Sequence, residues 1–148
     1  MRKAPELSGG RAWPAAASRR ALARSAAAEM HAGFMALRGA YPMNIRARKR
    51  RVAMTPEIAA AVARLDALWS AHRARFGTDG PWLFGEYSAA DAMFAPVALR
   101  FRTYGDEGLG DVARAYAATL VEDPLLQPWI AAAEAETEII PHDEAGEE

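Results

Sequence analysis

Cysteine is absent from the 148 residues. Its absence excludes disulfides, thiolate metal sites, a cysteine nucleophile and a dithiol redox pair within this chain, so any thiol chemistry must bring its thiol from elsewhere. Long apolar runs are missing too: no stretch of about 18 uncharged apolar residues occurs. The N-terminus Met1-Arg2-Lys3-Ala4-Pro5-Glu6 lacks the apolar segment of a secretory signal, which makes the cytoplasm the expected location. Histidine is scarce. His31, His72 and His142 lie on separate segments with no i, i+4 pair and no acidic constellation of metal-site spacing, so no metal is expected. Gly9-Gly10 is too short for a phosphate loop, and there is no Ser-His-Asp set and no nucleophile elbow. Strand alternation and internal repeats are likewise missing.

What remains is an ordinary globular composition, 51% hydrophobic and 25% charged, in a chain long enough for one domain. The formal net charge of −1 conceals a division. Through Arg75 there are 15 basic and 4 acidic residues, and from Phe76 onward 3 basic and 15 acidic. Such halves can solvate opposite faces, pair across the fold, or leave the basic half for an anionic ligand.

Helical periodicity organises the chain. Leu22, Ala26, Met30, Phe34 and Leu37 predict one long amphipathic helix from Pro14 to about Arg38, stopped near Gly39 and Pro42. Thr55-Pro56-Glu57 opens a second with an N-cap hydroxyl, a first-turn proline and an early acid. Its stripe of Ile58, Val62, Leu65, Trp69, His72 and Phe76 must pack on something. The loop from Gly77 to Gly85 carries Trp82, Leu83 and Phe84 and is expected to fold down over the bundle. Ser88 and Asp91 form a structural N-capping box for a central third helix through Ala90, Phe94, Val97, Phe101 and Tyr104, interrupted by Pro96. A fourth helix, Leu109 to Val121, places Val112, Ala113, Tyr116 and Leu120 inward. A fifth, capped at Asp123-Pro124, holds Leu126, Trp129 and Ile130. The class is all-α, an irregular five-helix bundle. Residues 1–13 read as a linker or the remnant of a preceding domain, 14–136 as the helical domain, and 137–148 as an acidic tail expected to fray from Glu134 onward.

Few side chains offer chemistry. His72 falls on an apolar stripe, as a hydrogen-bonded core or edge histidine does. His31 lies beside the first stripe and shares a face with Met35 and Arg38, which makes it the histidine to watch. The run Arg46, Arg48, Lys49, Arg50, Arg51 lacks interleaved aromatics and any nucleic-acid motif, and reads as a solvated loop. Asp91, held by amides, should have a lowered pKa and a folding role.

One stretch is more specific. Phe84-Gly85-Glu86-Tyr87-Ser88-Ala89-Ala90-Asp91-Ala92-Met93-Phe94-Ala95-Pro96-Val97 resembles the Phe-Gly-x-x-Ser-x-Ala-Asp segment of the glutathione S-transferase C-terminal helical domain. Trp13-Pro14, Glu29-Met30-His31-Ala32-Gly33-Phe34, Pro42-Met43-Asn44 and the Asp123-Pro124 to Trp129 end look similar in order and spacing, so the resemblance spans about residues 11 to 135. In bacterial members a Glu-Leu-His-Lys-x-Phe segment points its histidine toward the glutathione sulfur, which implies that His31 assists the thiolate while Phe34, Met35 and Arg38 line an electrophile cleft. The lysine of that segment is Ala32 here. The resemblance further implies glutathione as co-substrate, a small electrophile, a homodimer through the first two helices, and a thioredoxin-like domain that binds glutathione. None of that domain's motifs is present, so this chain alone is expected to be inactive. Two rivals stay open: a non-catalytic interaction or scaffold module, or truncated remnant, and an anion or nucleic-acid binder using Arg46 to Arg51. Membrane binding is not expected.

Overall fold

The computed structural model describes residues 12–147. The N-terminal lead-in up to Arg11, most of the expected linker, lies outside them. Six α-helices occur among the described residues: α1 Ala17–Ala32, α2 Met35–Ala40, α3 Pro56–Phe76, α4 Ala89–Tyr104, α5 Asp111–Val121 and α6 Gln127–Ala135, with short 3₁₀ turns at Gly77–Asp79 and Pro141–Asp143. There are only isolated bridges and no strand among these residues. The all-α class is as the periodicity predicts.

The starts of α3 and α4 follow from local chemistry. Thr55 Oγ1 accepts the Ile58 amide at 3.4 Å with Pro56 in the first turn, and Glu57 sits in that turn. At α4 the Asp91 carboxylate accepts the Ser88 amide at 2.8 Å while Ser88 Oγ accepts the Ala90 amide, the reciprocal arrangement of a capping box. Between them, α3 and α4 supply about half of the core. Trp69 of α3 is fully buried and meets Phe94, Phe101 and Tyr116 edge to face at 5.6, 6.1 and 5.2 Å. The helix α4 runs through Pro96 to Tyr104, and packs on α1 and α5, which explains its burial on more than one side. Leu83 and Phe84 are wholly buried, so the loop before α4 does fold down over the bundle.

The first expected helix is two. Gly33 turns extended after Ala32, and Phe34 takes a left-handed conformation (φ 61°, ψ 28°) before α2 begins. A Cβ at Gly33 would lie 2.7 Å from the Glu29 carbonyl oxygen, closer than side-chain carbons approach, so this stop requires glycine. Phe34, Leu37 and Tyr41 still reach the core after the break. The other ends shift by a few residues. The helix α5 starts at Asp111 and leaves Val112 exposed, and Asp123 caps a turn through the Leu125 amide before α6 begins at Gln127. Trp13 is half-buried against the core.

The acidic tail does not fray, and the basic loop is not simply solvated. Arg46 donates to the main-chain oxygens of Glu136 and Glu138, Arg48 pairs with Glu134 at 2.6 Å, and Arg50 pairs with Glu144 at 2.9 Å. Asn44 Nδ2 donates to Glu144, Arg102 also reaches Glu134, and Arg51 and Glu147 exchange main-chain hydrogen bonds. Residues 134–147 therefore form a strap across residues 44–51. Of the three arrangements open to a charge-divided chain, pairing across the fold is the one adopted here. Charge-assisted bonds hold carboxylates and guanidinium groups that sit too close to leave either solvated alone.

Candidate functional site

The residue singled out as His31 stands exposed on the last turn of α1. It borders a groove of about 250 Å³ between α1, the start of α2 and the face of α4, lined by Met30, His31, Arg38, Met43, Met93 and Arg100, with Ala92 and Pro96 between them. The break at Gly33 and Phe34 positions the groove: it turns α2 so that Arg38 comes back to donate to the His31 carbonyl oxygen at 3.1 Å. The structure thus brings His31 and Arg38 together. It does not bring in the other two expected lining residues. Phe34 packs toward the core, and Met35 is 67% exposed, its sulfur 3.9 Å from the Arg38 guanidinium.

Arg100 is the residue that sequence reasoning missed. Its Nε donates to the Tyr41 carbonyl at 2.7 Å and its Nη1 to the Pro96 carbonyl, which fixes the guanidinium in place beneath the groove. Burial lowers its pKa, and the like charge of Arg38 lowers it further. Met93, Pro96 and Arg100 follow i, i+3, i+7, one face of α4, and that spacing was the signal available beforehand. The lining contains no carboxylate. An apolar floor of three methionines and a proline therefore carries two guanidinium groups and an imidazole at its edge, an environment that favours an anion such as a thiolate or a carboxylate.

Ser88 and Asp91 do not line this groove. They are buried at the foot of α4, where Asp91 takes four donors: the Leu83 amide, the Ser88 amide, the Ser88 hydroxyl and the Tyr116 hydroxyl. The expectation of a lowered pKa is overturned. Burial raises the Asp91 pKa above the ordinary carboxylate value and outweighs the hydrogen bonds that lower it. The folding role is retained, since every contact of the carboxylate ties the loop and α5 to the start of α4. Burial also pushes the Tyr116 phenol well up, followed by the neighbouring Asp91 charge.

His72 sits half-buried on α3 with its ring 4.7 Å from that of Phe84 and 6.4 Å from that of Phe76. It is an edge histidine held by ring packing rather than by a hydrogen bond. Burial lowers its pKa, with Arg75 and Arg64 adding to the shift. His142 lies in the strap beside Asp143. No group of three or more metal-ligating side chains occurs among the described residues, and no helix there is long and apolar enough to cross a membrane.

The family described as Glutathione S-transferase, C-terminal domain, matches residues 55–132, from the N-cap of α3 to the body of α6 and more than half of the chain. The chain belongs to that family. No curated protein matches it. In this glutathione S-transferase C-terminal domain the family match covers Arg100, Met93 and Pro96 on α4, whereas His31, Arg38 and Met43 precede it. The half of the groove on α1 and α2 therefore rests on the geometry and on the resemblance of residues 29–34.

Proposed function

We propose that this chain supplies the electrophile-binding half of a glutathione transferase, completed by a thioredoxin-like domain that holds glutathione. The observation that supports this reading is the groove in which His31, Arg38 and Arg100 surround a methionine-lined floor with no carboxylate among them. Sulfur attacks as the thiolate, and a cationic or hydrogen-bonding edge stabilises that anion. In this reading a His31 ring N–H donates to the sulfur, and the apolar floor receives the electrophile's body. Reaction forms a carbon–sulfur bond while the electrophile's leaving group departs or its double bond takes up the proton. Holding both reactants in one cleft supplies the rate. In this reading the protein is cytoplasmic and pairs with a second copy, and the chain without the glutathione-holding domain does not turn over.

The test is a calorimetric titration of reduced glutathione and of an S-aryl glutathione conjugate into the size-fractionated chain, with circular dichroism showing the sample helical. The reading expects the conjugate to bind saturably through its aryl half and His31→Ala to weaken it, while free glutathione binds weakly or not at all. A well-folded sample that takes up neither would overturn the electrophile reading and leave the interaction or scaffold module.

A further inference from the structure

A second groove differs from the first in the sign of its charge. It lies where the strap crosses α6, holds about 240 Å³, and has a floor of Met43, Ile45, Trp129, Ala133 and Ile140. Trp129 and Ile140 are 49% and 50% exposed, two large apolar side chains left half-open in that lining. Four carboxylates line the same groove, on Glu136, Glu138, Asp143 and Glu144, against one guanidinium, that of Arg46. Arg46 spends its donors on the main-chain oxygens of Glu136 and Glu138, so it anchors the wall. Glu144 is paired with Arg50. Glu136 Oε1 accepts the Thr137 and Glu138 amides at 2.9 and 3.1 Å, and Asp143 lies 3.7 Å from the exposed His142 Nε2, so Glu138 and Asp143 are the acids left for a ligand beside an apolar, tryptophan-bearing slot.

We propose that this groove binds a small organic cation with an apolar body, such as an aryl or alkyl quaternary ammonium. The apolar body covers Trp129 and Ile140, which removes the exposed patch from water. The positive head meets the Glu138 and Asp143 carboxylates and the face of the Trp129 indole, each attractive to a weakly hydrated cation. An anion of the same size is excluded by the same carboxylates. The volume, below that of most drug-sized sites, restricts the ligand to about one ring and its substituents. The inference does not depend on glutathione chemistry, and the two grooves meet only at Met43.

The experiment is a titration of the full chain with benzyltrimethylammonium, followed by the indole N–H signal of Trp129 in nitrogen-resolved nuclear magnetic resonance and assigned with Trp129→Phe. Benzenesulfonate and benzyl alcohol serve as the anionic and neutral counterparts. The expected result is a saturable shift of the Trp129 indole, with the signals of Trp13, Trp69 and Trp82 unmoved. Glu138→Gln combined with Asp143→Asn should weaken binding about fivefold, as the loss of an exposed charge contact does. Neither side chain holds the strap to the basic loop, so the fold survives the change. A shift that never saturates, equal binding of benzenesulfonate, or undiminished binding in the double variant would each overturn the proposal.

Discussion

The Tyr116 hydroxyl donates to Asp91 Oδ1 at 2.9 Å, and the same oxygen accepts the Leu83 amide at 2.9 Å. One buried carboxylate thereby joins α5, the loop before α4 and the α4 N-terminus. Tyr116→Phe keeps the ring against Trp69 and removes only the donor. The loss should cost about 1 to 3 kcal/mol, because a buried acceptor is left short of a partner. Thermal unfolding followed by circular dichroism measures it, and an unchanged midpoint would show that the bond contributes nothing.

The raised pKa of Asp91 sets the sign of a pH effect. Because burial holds its folded pKa above the ordinary carboxylate value, the fold favours the neutral carboxyl. Its contribution is fully present below the unfolded pKa and is lost as pH rises through the folded one. The stability advantage of the wild type over Asp91→Asn should therefore narrow as the pH rises above the ordinary carboxylate range. Strap ion pairs titrate in both proteins and cancel in the comparison. An advantage that widens with pH would mean that the four donors outweigh burial after all.

Gly33→Ala tests the break between α1 and α2. The backbone there is extended, which any residue adopts, so the cost comes from the 2.7 Å approach of the new Cβ to the Glu29 oxygen. A loss of about 1 to 3 kcal/mol is expected, the range for overpacking a tight contact. Denaturant unfolding checks it. Since the break turns Arg38 toward His31, the same variant should also disturb the signals of both residues.

Much of this fold is legible in the sequence, and the omissions have physical causes. The Thr55-Pro56 and Ser88 to Asp91 caps are local hydrogen-bond chemistry and stand where the spacing puts them. The stripe from Ile58 to Phe76 is buried as a 3.6-residue period requires, apart from the half-open His72. Phe34 misleads because it falls at helical spacing from Met30 while a left-handed turn, invisible to periodicity, carries it inward by another route. Asp91 misleads because its depth depends on Tyr116 and Leu83, which no local pattern links to it. At the candidate site His31 and Arg38 were readable on one face, whereas Arg100 belongs to a helix whose approach is settled only by tertiary packing.

The strap should yield to salt. Glu134 is shared by Arg48 and Arg102. Glu134→Gln should lower stability by up to about 1 kcal/mol, the range for partly exposed pairs. The deficit should shrink in about 1 M salt, where screening shortens the reach of charge. Melting at low and high ionic strength tests this, and a deficit indifferent to salt would mean that the contact is one of packing.

His31→Ala should leave stability within about 0.5 kcal/mol, since the side chain is exposed and makes no contact that the core needs. A larger loss would give His31 a structural role and would undercut its use as a probe of thiolate assistance.

The strap also imposes an order on folding. Arg46 and Arg50 find their partners 90 to 96 positions further along the chain. At a synthesis rate of about 5 to 20 residues per second, the basic loop emerges roughly 5 to 20 s before the acids that neutralise it. Throughout that interval the nascent chain is a strongly cationic polypeptide. Its exposure to surrounding polyanions then ends when residues 134–147 arrive and close the circuit of charge.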